Sequence, residues 1–223
     1  MLTHHFDDNQ MTAQPGILLA LLRMVVRRQG EGCALSEADW VGLMKLAMAQ
    51  AVPTLVLDGL QQCFAGNVEC KHLGEEIGGQ ARRMQWVAQM MATERLYAKH
   101  EKAMAELAHL YAAKGLRMMV LKGYGLSLDW PVPNHRVVGD LDIYNFGKWR
   151  EADDLVADQC GIKVEEAHEH HTVFNYKGVM VENHYDFINT KAHRDARKIE
   201  NRLKLLAEKG CREVEVEGAR IYL

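Results

Sequence analysis

A chain of 223 residues is long enough for one large domain or two small ones, and for a substantial buried core. Its apolar and charged fractions, 48% and 26%, are those of a soluble globular protein, and a net charge of −3 argues against a general nucleic-acid binder, leaving only local basic patches for such a role. Five cysteines (Cys33, Cys63, Cys70, Cys160 and Cys211) without a C-x-x-C spacing make neither a disulfide framework nor a zinc knuckle, and point to a reducing cytoplasm.

Residues 1–8 lack a basic stretch of the kind that opens a signal peptide. The apolar run 17–26 is short and broken by Arg23, too little to span a bilayer. Pro15 is expected to open a helix to about Gln29, with Ile17, Leu18, Leu21, Leu22 and Val25 on one face. Ser36, followed three residues later by Asp39, reads as the cap of a second helix ending near Ala49. Pro53 starts a third, carrying Leu55, Leu57, Leu60 and Phe64, which Gly66-Asn67 ends. From Glu75 to Ala113 there is no proline, and Ile77, Ala81, Met84, Ala88 and Met91 are spaced as one helical stripe until Lys114-Gly115 supplies a stop. A helix of up to about 35 residues spans ~50 Å at 1.5 Å per residue, enough to bridge two lobes. The expected organisation is a helical N-terminal lobe over 1–74, a bridging helix over 75–115 and an α+β core over 116–223. The methionines fall on helices at core spacing and read as packing.

After Gly115 the texture changes. Residues 116–121 are apolar and β-prone, 124–130 read as a short helix ended by Pro131 and Pro133, 140–144 as a strand and 148–160 as a helix. Residues 171–176 and 179–187 suggest a hairpin around Lys177-Gly178, and 214–216 with 220–222 another about Gly218. Between them, 191–209 is expected to be helical, with Ala192, Ala196, Ile199, Leu203 and Leu206 as its apolar stripe. This order makes a mixed β-sheet with helices on one side, an α+β fold.

Asp140 and Asp142 stand two apart in a predicted strand, so their side chains share a face. Paired carboxylates repel each other and call for a cation or a basic partner. Leu141 and Ile143 mark a half-buried strand, which weighs against a merely solubilising edge. Glu182 falls on the later strand, with Asp186 on the same expected face as an alternative. Two Asp and a Glu on neighbouring strands form the oxygen-rich cage that one or two Mg²⁺ ions prefer.

Four blocks in order, Leu121-Lys-Gly, Arg136, Gly139-Asp-Leu-Asp and Val181-Glu-Asn-His, resemble the uncharacterised bacterial nucleotidyltransferases of the DNA polymerase beta-like superfamily. The likeness covers about residues 115–190 closely and the helical lobe more loosely. It implies a nucleotidyltransferase core in which Asp140, Asp142 and Glu182 are the catalytic carboxylates and hold Mg²⁺. The ions would activate an acceptor hydroxyl and steady the pyrophosphate leaving group of a bound nucleoside triphosphate. Lys122-Gly123 departs from the Gly-Ser or Gly-Gly turn of the wider superfamily. Lys122 is expected to add a cation for the triphosphate while the backbone of Gly123 approaches it closely, or else to be a surface lysine on a plain turn. Arg136 reads as a fork for phosphate or as the partner that neutralises the Asp pair, and His184 as a residue that orients Glu182 or touches substrate. The acceptor (small molecule, sugar, protein side chain or RNA end) and the base are not legible. Relatives often continue into further helices beyond the final hairpin, so the resemblance presents this chain as a shortened member.

Two other readings compete. One is a nucleotide-binding or regulatory module that keeps the fold without turnover, which an intact carboxylate set disfavours. The other is a metal-dependent hydrolase using His168, His170, His171 and His184. Those histidines lack a recognised zinc spacing, and His170 and His171 are expected on opposite faces of one strand. Between Lys191 and Arg212, eight basic residues against three acidic ones read as a solvated helix face rather than a wall for an anion.

Overall fold

A computed structural model describes residues 8–27, 40–66, 79–166, 169–191 and 193–223. Among them are seven α-helices: α1 (Asp8–Arg27), α2 (Trp40–Ala49), α3 (Pro53–Gly66), α4 (Gly79–Ala112), α5 (Lys122–Ser127), α6 (Trp149–Cys160) and α7 (Ala196–Gly210). Six strands are β1 (Met119–Val120), β2 (Leu141–Tyr144), β3 (His171–Tyr176), β4 (Val179–His184), β5 (Glu213–Val216) and β6 (Ala219–Tyr222). The chain divides into two compact units, one of residues 1–95 with 129–137, the other of 96–128 with 138–223. The single helix α4 contributes to both.

The first unit is helical. Ile17, Leu18, Leu21, Leu43, Ala47, Val56, Leu60 and Trp86 close its core. Pro53 opens α3, where its missing N–H has no helical partner to lose. Pro15 does not open α1: the helix begins at Asp8 and Pro15 lies inside it. The burial of Ile17, Leu18, Leu21 and Val25 that follows it stabilises the helix against the bond that proline removes. Ser36 and Asp39, the expected cap of α2, lie outside the described residues, as does Ile77. A hydrogen-bonded polar network around the buried His135 was not foreseen: His135 Nδ1 lies 2.8 Å from an Asp58 carboxylate oxygen, its Nε2 lies 3.2 Å from Glu94, and Thr54 donates to its carbonyl.

The second unit is an α+β sandwich on one mixed sheet of order β3-β4-β2-β1-β6-β5. Its two hairpins close where expected. Lys177 and Gly178 both take positive φ (52° and 78°), as do Glu217 and Gly218 (49° and 73°), the pattern of the two-residue turn whose twist matches antiparallel strands. Leu141, Ile143, Phe174, Val181 and Ile221 line one face and pack with Leu107, Ala108 and Tyr111 of α4 and with Ala152 and Val156 of α6. Asp153 on α6 is buried there and accepts hydrogen bonds from Thr172 of β3 (2.9 Å) and the Asn183 amide of β4 (2.8 Å), which ties the helix to the sheet. The opposite face is not bare: Met119, Tyr144 and Ala207 of α7 form a smaller cluster with Phe146, Phe187 and Tyr222. Helices therefore lie on both sides, because each strand alternates its apolar residues between two faces.

The apolar stripe expected on α4 faces outward, and the one expected on α7 is buried only in part. On α4, Met84 and Met91 are 64% and 47% exposed, while Trp86, Thr93, Tyr97 and His100 turn inward. On α7, Ile199 and Leu206 are 53% and 50% exposed, and Ala196, Glu200 and Ala207 are buried. In α4 apolar residues occur around much of the circumference, so periodicity alone does not select the face that meets the core. Arg197, Lys198, Arg202 and Lys209 of the basic segment are exposed, and no helix is long and apolar enough to cross a membrane among the described residues.

Candidate metal and nucleotide site

The site grows from the pairing of β2 with β4. The strands run parallel, with Asp142 directly opposite Glu182 and Tyr144 opposite His184. On the far side of β4, Val173 faces Glu182 and His171 faces His184 across an antiparallel pair. Residues paired in this way share a face, so Asp142, Glu182, His184 and His171 project together, away from the Leu141–Ile143 core side. Asp140 sits just before β2, half-buried, and acts on Glu182 through its charge.

Asp142 is the most enclosed of the carboxylates, 2% exposed. Its Oδ1 lies 2.9 Å from His184 Nε2 and 2.6 Å from Lys122 Nζ. Burial pushes its pKa up, but the hydrogen bonds from His184 and Lys122 outweigh this and hold the carboxyl below the ordinary range. Glu182 goes the other way: burial, then the charges of Asp140 and Asp142, raise its pKa above the usual value. Lys122 remains a firm cation, since the pull of Asp142, Asp140 and Glu182 exceeds the cost of its partial burial. One ligand atom each from Asp142, Glu182 and His184 lies within 4.8 Å of the others, a compact set for a cation. Asp142 and Glu182 supply carboxylate oxygens of the kind Mg²⁺ prefers, and on that ground these residues fit the ion, while Asp140 is not part of the compact set.

Lys122 opens the short helix α5 at a φ of 37°, and its ammonium reaches back to the acidic face rather than into open solvent, although its side chain is 61% exposed. Leu121 N–H donates to the Asp142 carbonyl (2.9 Å), which fixes this turn against β2. Gly123 is not the crowded glycine of the pair. A Cβ there would lie 3.6 Å from the Asp140 carbonyl oxygen, an ordinary contact, whereas at Gly125 it would meet the Val120 carbonyl oxygen at 2.8 Å. Arg136 belongs to the first unit, where its guanidinium carbon lies 5.3 Å from the centre of the Trp130 ring.

His170 and His171 do not diverge. With His184 they bring one ring nitrogen each within 4.8 Å of one another, and the ring centroids are 4.7, 5.1 and 5.5 Å apart. Strand alternation fails between them because β3 begins at His171: His170 lies in the preceding bend, where its carbonyl accepts from the Tyr185 and Asp186 N–H groups. Burial, then the charges of His184 and Lys122, lower the His170 pKa. His168 lies outside the described residues. Asp186 is no substitute for Glu182. It follows the end of β4, so parity no longer applies, and Lys204 Nζ holds it at 2.5 Å.

Behind the site sits a residue the sequence reading passed over. Glu200, buried on α7, accepts the N–H groups of Phe187 (3.0 Å) and Ile188 (3.1 Å), and so ties down the loop that leaves His184. Its signal was the narrow face Ala196, Glu200 and Ala207, an acid between two small residues at intervals of four and seven.

A family model described as uncharacterised nucleotidyltransferase matches residues 36–223. Searches of curated proteins and of solved structures found no match.

Proposed function

The chain belongs to the uncharacterised nucleotidyltransferase family, and we propose that it moves a nucleoside monophosphate from a nucleoside triphosphate to a hydroxyl acceptor with the help of Mg²⁺. The observation that carries this reading is the pairing of Asp142 with Glu182 across two parallel strands, with the charge of Asp140 bearing on both Glu182 and Lys122. Asp140, Asp142 and Glu182 would hold the ion, which neutralises triphosphate charge and makes the acceptor hydroxyl a better nucleophile. His184 keeps Asp142 oriented and ionised through its 2.9 Å hydrogen bond. Lys122, already at the acidic face, is the side chain suited to exchange Asp142 for a phosphate oxygen when nucleotide enters. Phosphoryl chemistry asks little of a protein beyond such positioning and charge balance. The ordinary cysteine content and the apolar pattern of the chain fit a cytoplasmic setting.

A thermal-shift series tests the proposal. Mg²⁺ with nucleoside triphosphate should raise the melting temperature of the wild type by mass action on the folded state. The Asp140→Asn, Asp142→Asn double variant should lose that rise while its circular dichroism stays that of a folded protein. An equal rise in the double variant would overturn the assignment of these carboxylates.

A further inference from the structure

The transfer reading leaves His170 and His171 unused, and with His184 they form a second ligand group. One nitrogen from each of His170, His171 and His184 lies within a 4.8 Å span, a donor set composed wholly of nitrogen. Mg²⁺ prefers oxygen ligands, whereas imidazole suits Zn²⁺ and its neighbours in the transition series. The Nδ1 atom of His170 is closed off from solvent and has no hydrogen-bond partner, a costly state that a coordination bond would remove. Two of the rings also face carboxylates: His171 Nε2 lies 3.7 Å from Glu182, and His184 Nε2 lies 2.9 Å from Asp142, so a metal would take the His184 Nδ1 from its long, 3.3 Å contact with the Asp186 carbonyl oxygen. Carboxylates in that position orient a ligand imidazole and make it more basic.

We propose that His170, His171 and His184 bind a late transition-metal cation, Zn²⁺ foremost, beside the carboxylate site and sharing His184 with it. The competing explanation is plain ring packing, since His170 and His171 meet edge to face at an interplanar angle of 89°. Packing alone predicts no metal. The inference does not depend on the transfer reading, because it rests on nitrogens rather than on Asp140 or on bound nucleotide.

Metal-free full-length protein titrated with Co²⁺ decides between the two. The wild type should develop visible d–d absorption that saturates at one equivalent and is displaced by Zn²⁺. His170→Ala and His171→Ala should each weaken Co²⁺ binding on the order of 100-fold or more, since even an outer partner of a metal ligand can cost that much. Asp140→Asn should keep the cobalt band while losing the Mg²⁺–nucleotide stabilisation, which separates failure of this site from failure of the transfer site. No band in the wild type, or an unchanged band in both histidine variants, would overturn the proposal. Should either histidine variant not fold, zinc-edge X-ray absorption of the zinc-loaded wild type replaces it. Imidazole scattering from histidine ligands supports the site, and an oxygen-only shell refutes it.

Discussion

Lys122 Nζ lies 2.6 Å from Asp142 Oδ1, so the cation proposed to meet a triphosphate is paired with a carboxylate proposed to hold Mg²⁺. Under that proposal the ammonium and a divalent ion would compete for one carboxylate oxygen. Lys122→Ala should therefore bind Mg²⁺ alone more tightly than the wild type. It should bind nucleoside triphosphate more weakly, by about 1.5–3 kcal/mol, the range for a hydrogen bond to a charged group. Lys122→Arg should recover part of the loss, because a planar fork replaces a compact ammonium imperfectly. Titration of a fluorescent nucleotide analogue into the three proteins at one salt concentration checks this; superimposable curves would remove Lys122 from the site.

Glu182 should weaken the fold that carries it. Its carboxyl is raised above 4.5 by burial and by the charges of Asp140 and Asp142. Below that ordinary value the group is protonated both folded and unfolded, and its ionisation has no effect on stability. As pH rises through the raised value, the folded state gives up a proton it holds more tightly than the unfolded chain does, and stability falls. In chelator near neutral pH, Glu182→Gln should melt higher than the wild type by a few degrees, at about 2–4 °C per kcal/mol for a chain of this size. The gap should close as the buffer is taken below the ordinary glutamate pKa. A glutamine variant that melts lower at neutral pH would contradict this electrostatic account.

Glu200 is expected to matter more for stability than its place on a surface helix suggests. Truncation to alanine leaves the Phe187 and Ile188 N–H groups without their acceptor. The expected loss is about 2–4 kcal/mol, from two unmet donors at the lower end of the desolvation range. Lys204 would also lose a partner 3.4 Å away. Urea unfolding at fixed pH measures this, and a loss within experimental error would mean that water replaces the carboxylate without penalty.

Gly125 is the glycine on which the turn into α5 depends for space. An alanine Cβ would press on the Val120 carbonyl oxygen at 2.8 Å and on a Leu223 methyl at 3.3 Å. Neither the β1 backbone nor the helix can yield without disturbing the pairing of β1 with β2 and β6. Gly125→Ala should cost about 1–3 kcal/mol, as overpacking does elsewhere. Chemical denaturation gives the value directly, and a melting curve identical to the wild type would show that the turn relaxes freely.

Much of the α+β half was legible because its signals are local. Two positive-φ turns at Lys177-Gly178 and Glu217-Gly218 fix their hairpins, whereas Asp140 stands one residue before β2, where strand parity does not fix its face relative to Asp142. Strand parity puts Glu182 and His184 side by side. What the sequence did not determine depends on neighbours distant in the chain. The parallel register that sets Asp142 against Glu182 joins strands forty residues apart with β3 between them, so no local pattern encodes it. His170 joins His171 because a bend, rather than a strand, precedes β3, and that bend is held by N–H groups of Tyr185 and Asp186. In α7 the helical period announces one apolar face, and the buried face is turned from it toward Glu200. The demand of two backbone N–H groups for an acceptor turns Glu200 inward and leaves Ile199 and Leu206 facing out. Local chemistry chose the elements, and the partners that each buried polar group and strand edge required chose their faces and neighbours.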